Sequence, residues 1–176
     1  MVWLAAVAAI CGFSLAAMID LIFVIKFVHV VAAGAMFGAW LALAVFMQLA
    51  HRSGNTAVVA LTARFVVNVE LIVMTGAMAL QPISGFALAS AIGLSPLDEF
   101  WIVVSLAVYV LVAAGWLAVL GIEFRIRKLT RQAALDAVPL PDAYRRLFRF
   151  HSALVWPVLA GMVALFALMI WQPRPA

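Results

Sequence analysis

Residues 21–49, 57–80, 100–122 and 151–171 are almost unbroken apolar runs. Each reaches the roughly 20 residues a helix needs to cross about 30 Å of hydrocarbon. In lipid the backbone must satisfy its own N–H and C=O groups, which runs of this length do by forming helices. The expected fold is therefore an all-α integral membrane protein. It is a four-transmembrane-helix bundle with an additional apolar N-terminal helix and a short re-entrant or interfacial segment after helix 2. Composition agrees: 69% of the residues are hydrophobic and 10% charged, against about a quarter charged in soluble domains. A water-soluble globule is excluded. A single cysteine, Cys11, excludes an intramolecular disulfide and a cysteine-based metal centre.

Charge sets the expected orientation. Seven of the eleven basic residues, Arg125, Arg127, Lys128, Arg131, Arg145, Arg146 and Arg149, lie between the third and fourth runs. The first connection carries Arg52 and nearby Arg64, and the second only Asp98 and Glu99. Segments rich in Lys and Arg stay cytoplasmic. In the bacterial cytoplasmic (inner) membrane, the 123–150 loop is then cytoplasmic, and the 81–99 loop and C-terminus are periplasmic. The net charge of +4 is concentrated at one membrane face with no polar domain to dock a duplex, so no nucleic-acid partner is expected. The third loop reads as a short basic hairpin against anionic lipid, with Asp142 capping the fourth helix.

Two apolar stretches fall outside the four spans. Residues 1–18 lack Lys and Arg and have no polar mature chain after them, which does not fit a secretory signal. One straight helix from residue 1 to residue 50 would measure about 75 Å, so a break near Ser14 to Asp20 is expected. The division is 1–18, an apolar extension forming an interfacial or fifth helix, and 19–176, the four-helix transmembrane domain. The second span is expected to end at Gln81-Pro82, leaving Ile83 to Leu94 too short to cross.

Polar residues within the spans each call for an account, because burying them in lipid is costly. Lys26 can snorkel to the headgroups. His29 lies beyond it on the same face, which continues through Met36 and Trp40 to His51. Opposite ends of one helix cannot ligate one metal together, whereas His51 and His151 sit at matching depth on different helices. His29 is left to bind iron alone or with Met78 or Met169. For each histidine the alternative is an interhelical hydrogen bond. Glu70, deep in the second span, must be neutral, linked to water or paired with another helix, with Asn68 nearby, while the Gln81 amide is expected to satisfy backbone groups freed at the Gln81-Pro82 break. On the third span Trp101, Ser105, Tyr109, Trp116 and Glu123 share one face, suited to packing on sister helices. Glu123 is also placed to pair with Arg127 at i, i+4. Gly34 and Gly38 form a step at which another helix can approach closely.

Several runs look familiar: Lys26-Phe-Val-His29, Phe37-Gly38, Gln81-Pro82-Ile83-Ser84-Gly85, the stretch from Leu140-Pro141-Asp142 to Arg149, and Leu168-Met169-Ile170-Trp171-Gln172-Pro173. They resemble a family of predicted bacterial integral membrane proteins, domain of unknown function 2269. More distantly the Lys-x-x-His opening is similar to HemJ-type protoporphyrinogen oxidases and CopD-like membrane proteins. The HemJ-type resemblance implies haem b, with Lys26 and His29 at the functional pair and His29 as metal ligand. The expectation is an inner-membrane four-helix protein that binds haem b and exchanges electrons, with Met36, Trp40, His51 and His151 as further cofactor-binding candidates. The alternative is a non-catalytic accessory or scaffold subunit of a larger membrane complex. Expected partners are the lipid bilayer, a quinone or porphyrin, and a membrane-complex partner or second copy of the chain. No complete catalytic constellation is visible.

Overall fold

A computed structural model describes residues 15–173. Four helices run up and down: α1 Leu15–Ser53, α2 Thr56–Ala91, α3 Phe100–Leu135 and α4 Asp142–Trp171. All are long and apolar enough to cross a membrane, and no strand occurs among the described residues. The most apolar window of each helix is only 22% to 33% buried within the bundle. Side chains such as Phe27, Leu111 and Ile170, 69%, 72% and 75% exposed, are stable there only against lipid.

Short connections enforce the antiparallel order. Between α1 and α2, Gly54 takes φ +65°, a conformation that suits glycine because it has no Cβ. Asn55 then caps α2, its side chain accepting from the N–H groups of Ala57 and Val58. Helix α4 starts differently from the expectation. Pro141 is its N-cap, with no side-chain cap bond, and Asp142 is the first helical residue. There its carboxylate still favours the positive end of the helix dipole. Gln172, left-handed at φ 43°, ends α4 at Trp171 just before Pro173.

Three further expectations need correction. First, α1 is already helical at Leu15 and runs through Asp20 without a break; no Gly or Pro lies between them to cause one. The rest of the expected N-terminal element, residues 1–14, lies outside the described residues. Second, α3 outruns the apolar stretch ending at residue 122 and continues to Leu135, so Arg125 to Arg131 ride on helical turns and the basic hairpin has helical arms. Third, α2 does not end at Gln81-Pro82 but continues to Ala91. Proline at position 82 has no N–H for the carbonyl of Met78, and the Tyr109 hydroxyl of α3 donates to that carbonyl. With the freed acceptor satisfied, the helix passes through the proline. Helix α2 then gives way to a turn through Gly93, φ +78°, and not to a re-entrant segment.

Within α2, Glu70–Met74 is a π-turn, in which the Thr75 N–H reaches back to the Glu70 carbonyl. Before this turn the helix lies mainly against α3, and after it mainly along α1. The change of partner accompanies the change of winding.

The core has two layers. One joins Met36, Trp40, Met74, Met78, Val112 and Trp116 with the α4 residues Val155 to Met162. The other, nearer the basic end, centres on Met47, Val59, Val66, Ile126, Tyr144 and Phe148. Helices α3 and α4 approach each other closely at two glycines. A Cβ on Gly115 would meet Val158 Cγ2 at 2.5 Å, and one on Gly161 would meet Val112 Cγ2 at 2.6 Å. Gly34 and Gly38, expected to admit a neighbour, have nothing within 4 Å. Among the described residues that face of α1 is open, because α1 turns Met36 and Trp40 inward instead.

Candidate functional site

One face of α3 carries the polar interior of the bundle. The residues expected to share it do so, and each finds a partner in a different place. Ser105 donates to its own helix at the Trp101 carbonyl (2.7 Å). One turn on, Tyr109 holds the Met78 carbonyl. Two turns further, the Trp116 Nε1–H donates to Glu70 Oε2 of α2 at 2.5 Å. Two turns beyond that, Glu123 Oε1 accepts from His151 Nε2 of α4 at 2.9 Å.

Glu70, Glu123 and His151 are all buried, at 0%, 3% and 3% exposure. Their bonds leave Glu70 Oε1, Glu123 Oε2 and His151 Nδ1 enclosed with no partner. Each such atom carries a desolvation cost of about 1–3 kcal/mol, so three together are a substantial burden on a bundle of this size. Trp116 and Glu123, two turns apart on one face of α3, set the Glu70 and Glu123 carboxyls at neighbouring levels of the bundle. Three ionisable groups from three helices are thus gathered one to two turns inside the arginine-rich end. Among the described residues no three His, Cys, Asp or Glu side chains are arranged to hold a metal ion.

The sequence made Glu70 conspicuous but hid its partners. Glu123 does not pair with Arg127, because its position on α3 faces the core, and Arg127 instead reaches Asn68 Oδ1 at 3.5 Å on the surface. Asn68 is therefore outside the cluster. A signal was available: Trp116 and Glu123 are seven residues apart on one face, and the alternating topology brings that face level with Glu70 and His151.

Toward the basic end, His151 packs on Phe148, with ring centroids 5.9 Å apart, and His51 stacks on the same ring at 3.8 Å. His51 Nδ1 shares a 2.9 Å hydrogen bond with the Tyr144 hydroxyl. The two histidines expected at matching depth are thus brought to one aromatic ring. The Phe148 ring separates the Glu123–His151 pair from His51, which is half-buried at the end of α1.

His29 lies at the opposite end of the bundle. Ser84 Oγ lies 2.6 Å from the Leu80 carbonyl and shares a 2.7 Å hydrogen bond with His29 Nδ1. Gln81 Nε2 donates to the His29 carbonyl at 3.1 Å, so α2 positions both the backbone and the ring of His29. Lys26 is exposed one turn away. Met36 and Trp40 are packed in the core against protein side chains, as is Met78, whereas Met169 is exposed.

Four membrane-length helices around a buried ionisable cluster define a polytopic integral membrane protein. The chain belongs to the family described as predicted integral membrane protein (DUF2269), whose model matches residues 23–173. No curated protein and no solved structure matches it.

Proposed function

We propose that the chain is a proton-handling protein of the bacterial cytoplasmic membrane, with its basic end inward, in which Glu70, Glu123 and His151 take up and release a proton within the bundle. The observation that carries this reading is the set of three enclosed, unpartnered atoms, Glu70 Oε1, Glu123 Oε2 and His151 Nδ1. Ionisable residues inside a membrane are costly and by default point to function. A carboxyl oxygen or imidazole nitrogen without a fixed partner is where a proton can be gained or lost without breaking the Trp116 or His151 hydrogen bonds. His151 lies two residues from Arg149, beside the basic end, so exchange takes place with that side. The apolar layer of Met36, Trp40, Met74 and Met78 closes the other direction.

Infrared difference spectroscopy of the protein in lipid, across a pH change, tests the reading. A protonated-carboxyl band should appear and be lost in Glu70→Gln or Glu123→Gln. A spectrum without any titrating carboxyl band would overturn it and favour the accessory or scaffold role.

His29 supports a second reading, a b-type haem held at the other end of the bundle. In the tautomer that donates Nδ1–H to Ser84 Oγ, Nε2 has the lone pair that an axial iron ligand requires, and Lys26 is near enough in sequence to meet a propionate at headgroup level. A haem there would supply one-electron chemistry, with a quinone, porphyrin or partner subunit as the exchange partner. Protein purified in mild detergent after growth with ample haem should then absorb as a b-type cytochrome and lose the colour in His29→Ala but not in His151→Ala. Colourless, monodisperse protein would exclude this reading and leave the proton proposal intact.

A further inference from the structure

A groove of about 520 Å³ runs between the start of α2 and the end of α3, at the basic end of the bundle. Three guanidinium groups line it: Arg64 of α2 and Arg127 and Arg131 of α3. Its floor is small and apolar, Ala60 and Ala134, and its rim is Leu61 and Leu135, each 70% exposed. No carboxylate lines it. Neither the ion pair of Arg145 with Asp142 nor the contact of His151 with Glu123 involves any of the three arginines. The one polar contact they make with another side chain is the long bond from Arg127 to Asn68. Helical spacing continues both walls toward the apolar layer: Leu61 is succeeded by Phe65 on α2, and Arg131 and Arg127 by Phe124 on α3. Both phenylalanines are exposed, at 51% and 43%.

We infer that this groove binds the phosphate headgroup of an anionic phospholipid, the arginines clamping the phosphate while the acyl chains run along Phe65 and Phe124 into the bilayer. The occupant's charge follows from three cations with no counter-charge, and planar guanidinium forks match phosphate oxygens two at a time. Its apolar tail follows from the rim and the exposed phenylalanines, which a soluble anion would leave uncovered. Basic pockets between transmembrane helices near a membrane face are suited to such headgroups. The inference stands apart from the proton proposal, since it uses none of Glu70, Glu123 or His151.

Native mass spectrometry of the full chain in a neutral detergent, titrated with cardiolipin, phosphatidylglycerol or phosphatidylcholine, tests it. The two anionic lipids should remain bound and phosphatidylcholine should not. With each basic residue near the surface contributing on the order of 1 kcal/mol, the Arg64→Gln/Arg127→Gln/Arg131→Gln variant should bind cardiolipin at least about tenfold more weakly. The single variant Arg131→Gln, at an exposed position, should show a smaller loss while folding as the parent does. Lys at the same three positions should restore only part of the affinity. Arg145→Gln/Arg146→Gln, which lies outside the groove, should bind as the parent does; an equal loss there would mean diffuse attraction and overturn the site. Displacement of cardiolipin by millimolar inorganic phosphate would show that the groove recognises a free anion and overturn the lipid assignment, and anionic lipid retained in all the variants would refute it outright.

Discussion

Replacing His151 with Leu removes the hydrogen-bond partner that Glu123 Oε1 has among the described residues, at a position where both side chains are 3% exposed. Breaking a buried pair by deleting one partner typically costs about 3–5 kcal/mol, because the remaining polar group is left buried and unpaired. Glu123→Leu leaves His151 Nε2 buried and unpaired and should cost about 1–3 kcal/mol. If the interaction is what makes each single change costly, the double variant Glu123→Leu/His151→Leu should not cost the sum. It should lie within about 1–2 kcal/mol of the parent, since similar apolar volume can replace a buried polar pair almost neutrally. The coupling energy from the cycle is then at least about 2 kcal/mol. Equilibrium unfolding in mixed detergent and dodecyl sulfate, monitored by helical circular dichroism, gives all four values. Additive losses, or single variants within about 0.5 kcal/mol of the parent, would refute the reasoning and mean that the two side chains do not depend on each other.

Glycine substitutions at the α3–α4 contact should separate tight packing from open surface: Gly115→Ala or Gly161→Ala, driven against a stiff valine, should cost about 1–3 kcal/mol, while Gly34→Ala and Gly38→Ala should leave the detergent melt unchanged. Tyr109→Phe strands the Met78 carbonyl and should cost about 1 kcal/mol; Pro82→Ala, which restores a backbone donor at that position, should recover most of it. Orientation is checked with single cysteines in a Cys11-free background. Those replacing Ser53 and Val138 should be shielded from an impermeant thiol reagent outside intact cells, and one replacing Ser95 should react; labelling at Val138 would reverse the topology.

The fold was legible because run length and charge bias are properties of contiguous sequence. Four spans and their antiparallel order follow from them, and the helices extend beyond the apolar runs because polar residues such as Arg127 and Arg131 continue a helix outside lipid. Interior pairing was less legible because it depends on helix register. Local spacing put Glu123 with Arg127, but burial of its face on α3 put it with His151. Pro82 read as a break because its missing donor is local, whereas the Tyr109 hydroxyl that compensates for it comes from the next helix. Gly34 and Gly38 fit a contact motif that these four helices do not use, while the glycines that do admit a neighbour, Gly115 and Gly161, lie on different helices and form no motif in either one.

The π-turn at Glu70–Met74 holds one residue more than an α-turn would. Wound as plain α-helix, that extra residue would turn everything beyond it by about 100° and carry Gln81 and Ser84 away from His29. Deleting one residue from the lipid-exposed stretch Leu71 to Val73 should instead let α2 close as an ordinary α-helix with Glu70 still on Trp116, Met78 on Tyr109 and Ser84 on His29. The π-turn therefore acts as a slack link: it takes up a surplus residue locally, so that a single helix presents Glu70 to α3 and Ser84 to α1 at the same time.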